Sequence, residues 1–117
     1  MKALSVKQPW ANLIASGKKT METRTWGTTY RGELLIVSSK KPVIAPAGFA
    51  LALVNLVECR PMTLSDERFA CCEIYDRAVV WILDNIRAIK PFPLIGQLGI
   101  FDVNVERESI RLASSSR

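Results

Sequence analysis

Nine residues, PWANLIASG from Pro9 to Gly17, form the one stretch of this chain with a clear helical period; almost everything else reads as strand or connection. MKALSV, KTMETRTW, ELLIVSS, FALALVNLVEC, RAVVWILDNIRAI and QLGIFDVNV are strand candidates, set apart by segments rich in Gly and Pro. A doubly wound parallel sheet needs a helix between successive strands, and none recurs here. The order specifies instead a small antiparallel or mixed β-barrel of about five to seven strands, with one or two short helices on its ends. The expected fold class is α+β, mainly β.

Local chemistry sharpens several segments. Pro9 suits the first helical position, and Gly17 suits the residue that stops the helix. Trp10, Leu13 and Ile14 share one helical face, which favours Trp10 as a core residue. FALALVNLVEC is a long apolar strand, and RAVVWILDNIRAI is expected to bend near Asp84-Asn85. Over residues 65–72 a second short helix fits, with Ser65 as N-cap and acids in its first turn.

A chain of 117 residues, 49% apolar, holds one core and not two. The division expected is a domain over 1–108 and a polar tail over 109–117, mobile from Ser114. No run approaches the roughly 18 apolar residues of a membrane span. The N-terminus lacks a signal-peptide pattern. A cytoplasmic location away from membranes is expected. Cys59, Cys71 and Cys72 are odd in number and lack C-x-x-C spacing, so they are expected as reduced thiols. Histidine is absent, which removes Ser-His-Asp and Cys-His catalysis and most transition-metal sites. No metal and no cofactor is expected, and acid–base chemistry falls to Lys, Glu, Asp, Tyr or Cys.

Charge is lopsided. Residues 1–41 carry eight bases and two acids, a balance of +6, while residues 42–117 carry eight bases and nine acids. A basic region confined to one third of the chain suits a phosphate-bearing partner. Within it, SGKKTMETRTW crowds Lys18, Lys19, Glu22 and Arg24 together with threonines. On a regular strand Thr20, Glu22 and Arg24 share one face and Met21 enters the core from the other. Lys19 is out of phase and joins them only if the chain turns at Gly17. A solvated strand of surface ion pairs has the same composition, and such pairs contribute about 0–1 kcal/mol. Upstream, Lys7, Gln8 and Trp10 stand where a helix begins, a place whose free N–H groups favour anions.

SVKQPWANLIASGKKTMETRTWGTTYRGELLIVSSKK resembles the first half of an ASCH domain, a family similar to the PUA fold. The family's Gly-x-Lys-x-x-Glu-x-Arg pattern stands here as Gly17, Lys19, Glu22 and Arg24. The Gln8-Pro9-Trp10-Ala11 entry, Trp26 and the Tyr30-Arg31-Gly32 turn resemble the branch that includes a domain of activating signal cointegrator-1. ALALVNLVEC and WILDNIRAIKPFPLIGQLGIFDV resemble its later segments, and the likeness covers roughly residues 1–105. The resemblance implies a PUA-like β-barrel whose cleft is lined by the hallmark Lys, Glu and Arg.

It also implies a link to RNA. Members are associated with RNA binding, one bacterial relative with ribonuclease activity, and another with N4-acetylcytidine amidohydrolysis. In that amidohydrolase the Lys is catalytic, a Thr occupies the place of Glu22, and an acid comes from the middle of the chain, where Glu67 and Glu73 are the candidates here. The leading expectation is a module binding RNA or a modified nucleoside through Lys7, Gln8, Trp10, Lys19, Glu22, Arg24 and Lys40. Glu22 would orient Arg24 or read an amino group. The alternative is an amidohydrolase of N4-acylated cytosine, with Lys19 polarising the carbonyl and Glu22 activating water. A third is a partner-binding domain whose Lys19, Glu22 and Arg24 only lock the barrel. As a site residue outside the core, Lys19 is expected to cost under about 1 kcal/mol when truncated.

Overall fold

The computed structural model describes residues 1–113, so the expected mobility of 114–117 lies outside the described residues. Six strands form one mixed sheet: β1 (Lys2–Val6), β2 (Met21–Arg24), β3 (Gly32–Ser38), β4 (Phe49–Pro61), β5 (Val79–Pro93) and β6 (Ile100–Asp102). Their order is β2-β5-β4-β3-β1-β6. Every neighbouring pair is antiparallel except β1 with β3. The sheet curls into a half-barrel with few short helices, the PUA-like fold. Its terminal strands, β2 and β6, are not paired with each other.

The long strands curve because their registers slip. Asn85 takes a left-handed φ of 45°, beside a register shift between β4 and β5, where the bend at Asp84-Asn85 is expected. Both faces of the central strands are covered. Leu34 and Ile36 join Leu4, Val6, Leu56 and Trp81 on one face, while Leu35 and Val37 join Ala3, Leu53, Ile89 and Phe101 on the other. Strands buried on both faces read as continuous apolar runs, as ELLIV and ALALV do.

Helix α1 (Trp10–Ala15) packs on the first of these clusters through Ala11 and Ile14. Pro9 is its N-cap and not its first residue, and Gly17 follows with φ 83°. Trp10, expected in the core, keeps 36% of its surface exposed, because the sheet-facing positions of this short helix are Ala11 and Ile14. A 3-10 turn (Leu64–Asp66) leads into α2 (Glu67–Ala70), so the second helix begins after Thr63 and not at Ser65. Ile110, within the segment expected as a tail, is buried against Ile89, and Leu112 bridges to Ile89.

Candidate functional site

The chain does turn at Gly17. The left-handed Gly17 lets its own N–H reach the Ile14 carbonyl at 2.9 Å and the Lys19 N–H reach Leu13 at 3.0 Å. The chain therefore leaves α1 in a tight turn that drives the Lys19 side chain inward, where it is 1% exposed. Strand periodicity then sends Met21 into a cluster with Met62, Ala70 and Val80, and Glu22 to the opposite side.

Lys19, Glu22 and Arg24 converge. The Glu22 Oε2 accepts from Arg24 Nη2 at 2.9 Å and Nε at 3.1 Å. Its Oε1 lies 3.6 Å from Lys19 Nζ. Lys19 Nζ donates to the carbonyl of Ala70, the last residue of α2. Carbonyls at a helix end lack an intrahelical partner, so an ammonium there satisfies both groups. Arg24 Nη2 also donates to the Ser5 carbonyl at 2.8 Å, tying β2 to β1 across the gap in the sheet.

The Ala70 carbonyl is held in place from behind. Arg60 on β4 makes a two-pronged contact with Asp66, at 2.8 and 2.9 Å, and the Asp66 carboxylate accepts from the Thr63 N–H at 2.8 Å. The Arg60 guanidinium holds the Asp66 carboxyl well below the usual aspartate range, against the opposing push of burial and with help from Thr63. This clamp fixes the turn into α2. The Thr20 N–H, donating to Phe69 at 2.9 Å, docks that turn beside Lys19.

These side chains border a cavity of about 450 Å³, within the range of small-ligand sites. Lys7, Trp10, Lys19, Glu22 and Arg24 line it. Three cations face one carboxylate, so the cavity carries a formal excess of two positive charges. Val6, Trp10, Tyr75, Cys72 and Leu98 give it apolar and aromatic walls.

Two expected contact residues stand elsewhere. Gln8 is 1% exposed and bonded to Asn12 and to the Pro46 carbonyl, at 2.9 and 3.0 Å, pinning the 39–48 connection to α1. Lys40 is exposed and lays its stem beside Gly48. Glu67 and Glu73 are also outside the lining; Glu67 accepts from the Ile74 N–H at 2.7 Å. From the middle of the chain come Cys72 and Tyr75 instead, and from the β5–β6 connection come residues 97–99. Nothing in their local sequence marks these as site residues.

The chain matches the family model of the ASCH domain over residues 4–93. It is 28% identical over 127 aligned positions to activating signal cointegrator 1 of Homo sapiens and, equally, of Mus musculus. Each alignment covers 86% of this chain but only 22% of the relative, so the chain spans about a fifth of the length of those curated relatives. The crystal structure of ASCH from Zymomonas mobilis superposes with a TM-score of 0.68 at 16% identity, covering 92% of this chain and 88% of that one. A point variant of that protein gives 0.65 at 14% identity, over 88% and 87%. With the family model spanning most of the chain, and the Gly17, Lys19, Glu22 and Arg24 pattern gathered at one cavity, this chain belongs to the ASCH domain family.

Proposed function

We propose that this protein binds a nucleotide, free or at the end of a single RNA strand, in the cavity above Lys19, Glu22 and Arg24. The observation that carries this reading is the fully buried Lys19 beside an Arg that shares its one carboxylate. A charge taken out of water needs a partner, and two cations on one acid leave room for an anion. Trp10 and Tyr75, both partly exposed on the cavity wall, supply faces on which a base can stack. Lys7 is exposed at the cavity and suits a phosphate.

Hydrolysis of N4-acylated cytosine is the second reading. It is favoured by Glu22 Oε1, which stands beside Lys19 and among the described residues accepts no hydrogen bond, and weakened because Glu22 is the one carboxylate that the described residues bring to the lining. The test is titration of short single-stranded RNA and of cytidine 5′-monophosphate, with N4-acetylcytidine turnover measured alongside. Saturable binding without turnover supports the first reading. Turnover abolished by Glu22→Gln supports the second. Neither binding nor turnover overturns both.

A further inference from the structure

The cavity lies where the curled sheet fails to close. Ser5 and Val6 of β1 and residues 97–99 before β6 form one wall, and Glu22, Thr23 and Arg24 of the edge strand β2 form the other. An edge strand presents every second N–H and C=O outward. The ladder fixes which residues do so here. The Leu83 N–H donates to the Thr20 carbonyl at 3.0 Å, and the β2–β5 register continues as Met21↔Ile82, Glu22↔Trp81, Thr23↔Val80 and Arg24↔Val79 without a shift. Thr20↔Leu83 thus occupies a hydrogen-bonded position, keeping one of its two bonds because the Thr20 N–H is given to Phe69. Antiparallel pairs alternate, so Glu22 and Arg24 spend their backbone groups on β5, while the Thr23 N–H and C=O point away from β5.

Among the described residues, no hydrogen bond from outside the β2–β5 pair reaches either Thr23 backbone group. The Thr23 side chain is engaged elsewhere, with Oγ1 3.8 Å from Cys72 Sγ. A backbone donor and acceptor from one residue, side by side at a cavity wall, match a planar edge that carries an acceptor beside a donor. We infer that Thr23 reads the hydrogen-bonding edge of a nucleobase through its own N–H and C=O, with the base plane against Trp10 or Tyr75. A peptide strand offers the same edge pattern. Yet the Arg24 guanidinium bridges to the Ser5 carbonyl one residue away, and that bridge shuts the seam to a continuous strand, while a cavity of about 450 Å³ suits a small ligand. The inference rests on the nucleotide-binding reading and adds to it which part of the ligand meets which atoms.

The test uses the whole chain, ¹⁵N-labelled, with cytidine 5′-monophosphate, 3-deazacytidine 5′-monophosphate and ribose 5-phosphate as probes. With cytidine 5′-monophosphate at ten times its dissociation constant, hydrogen exchange of the Thr23 amide should slow about tenfold, as the free fraction falls. Replacing N3 by C–H removes the acceptor beside the amino group without adding charge and should lower affinity about fivefold or more. Thr23→Pro deletes the outward N–H and no ladder bond. It should bring cytidine 5′-monophosphate down towards the affinity of ribose 5-phosphate. Should the Pro variant fail to fold, the exchange and deaza-analogue measurements decide alone. Equal binding of all three probes, with Thr23 exchange unaffected, overturns base reading by Thr23 while leaving an anion site standing. Binding of none of the probes overturns the nucleotide site and this inference together.

Discussion

Lys19→Ala is the perturbation whose consequence the structure revises most. As a site residue outside the core, Lys19 would cost under about 1 kcal/mol when truncated. At 1% exposure it belongs to the core in packing terms. Truncation removes three buried methylenes, about 2.4 kcal/mol at ~0.8 each. It orphans the Ala70 carbonyl, about 1–3 kcal/mol. Recovered side-chain entropy offsets about 1.5–2 kcal/mol. The net loss is therefore about 1.5–4 kcal/mol, several degrees in Tm for a domain of this size. Lys19→Met restores most of the packing and leaves the carbonyl loss alone, about 1–3 kcal/mol. Urea denaturation of both variants, with nucleotide titration of the folded fraction, measures the two effects separately. Met should be the more stable variant and should still fail to bind anion. Both variants matching wild type in urea would show that the buried ammonium does not hold the α2 turn, and Lys19→Met binding normally would show that it holds no ligand.

The Asp66 clamp gives a pH dependence. A carboxyl held below its ordinary range contributes stability that is present above about pH 4 and is lost as pH falls below it, so Asp66→Asn should flatten the acid limb of a Tm-versus-pH curve. At neutral pH the same variant should lose about 1–3 kcal/mol, since it breaks the two-pronged Arg60 contact and the bond from the Thr63 N–H. Trp10→Ala should cost nucleotide affinity about 1–3 kcal/mol in a titration while moving Tm little, because the ring is partly exposed and not part of the core; a collapse in Tm with unchanged affinity would return Trp10 to the core.

How much of this was legible follows from what kind of interaction set each feature. The half-barrel, the turn at Gly17 and the bend at Asn85 are local or periodic, and period and turn chemistry are written in neighbouring residues. The convergence of Lys19 with Glu22 and Arg24 was legible conditionally, because it needed only the turn at Gly17. The other side of the cavity was not. Cys72 and Tyr75 arrive from a segment with weak periodicity, brought there by the Arg60–Asp66 clamp and the Thr20–Phe69 bond. Those partners lie far apart in sequence, and no local pattern announces them. Gln8 misled for the opposite reason. A polar residue at a helix start reads as an anion contact, yet its amide is spent on Asn12 and Pro46. Trp10 misled because on a helix of six residues a shift of one position exchanges the buried face for the rim.

The basic balance of the first 41 residues makes a last prediction quantitative. If all six excess charges met phosphates, the salt dependence of single-strand binding would have a slope near −4, at about −0.7 per contact. The structure disperses them. Lys2 is paired with Asp102 at 2.9 Å. Arg31 spends Nη1 on the Thr28 and Tyr30 carbonyls. Lys18, Lys40 and Lys41 lie outside the cavity lining. Only Lys7, Lys19 and Arg24 reach it, and Glu22 offsets one of them. About two phosphate contacts remain, so the slope of log affinity against log salt should be about −1.4. Lys7→Ala should bring it to about −0.7, whereas Lys40→Ala, a residue placed in the binding set by its sequence position alone, should leave it unchanged. A slope near −4 would mean that RNA lies across the whole basic surface and the cavity is incidental. A slope of zero would mean that the excess charge around Lys19 is matched by something other than phosphate.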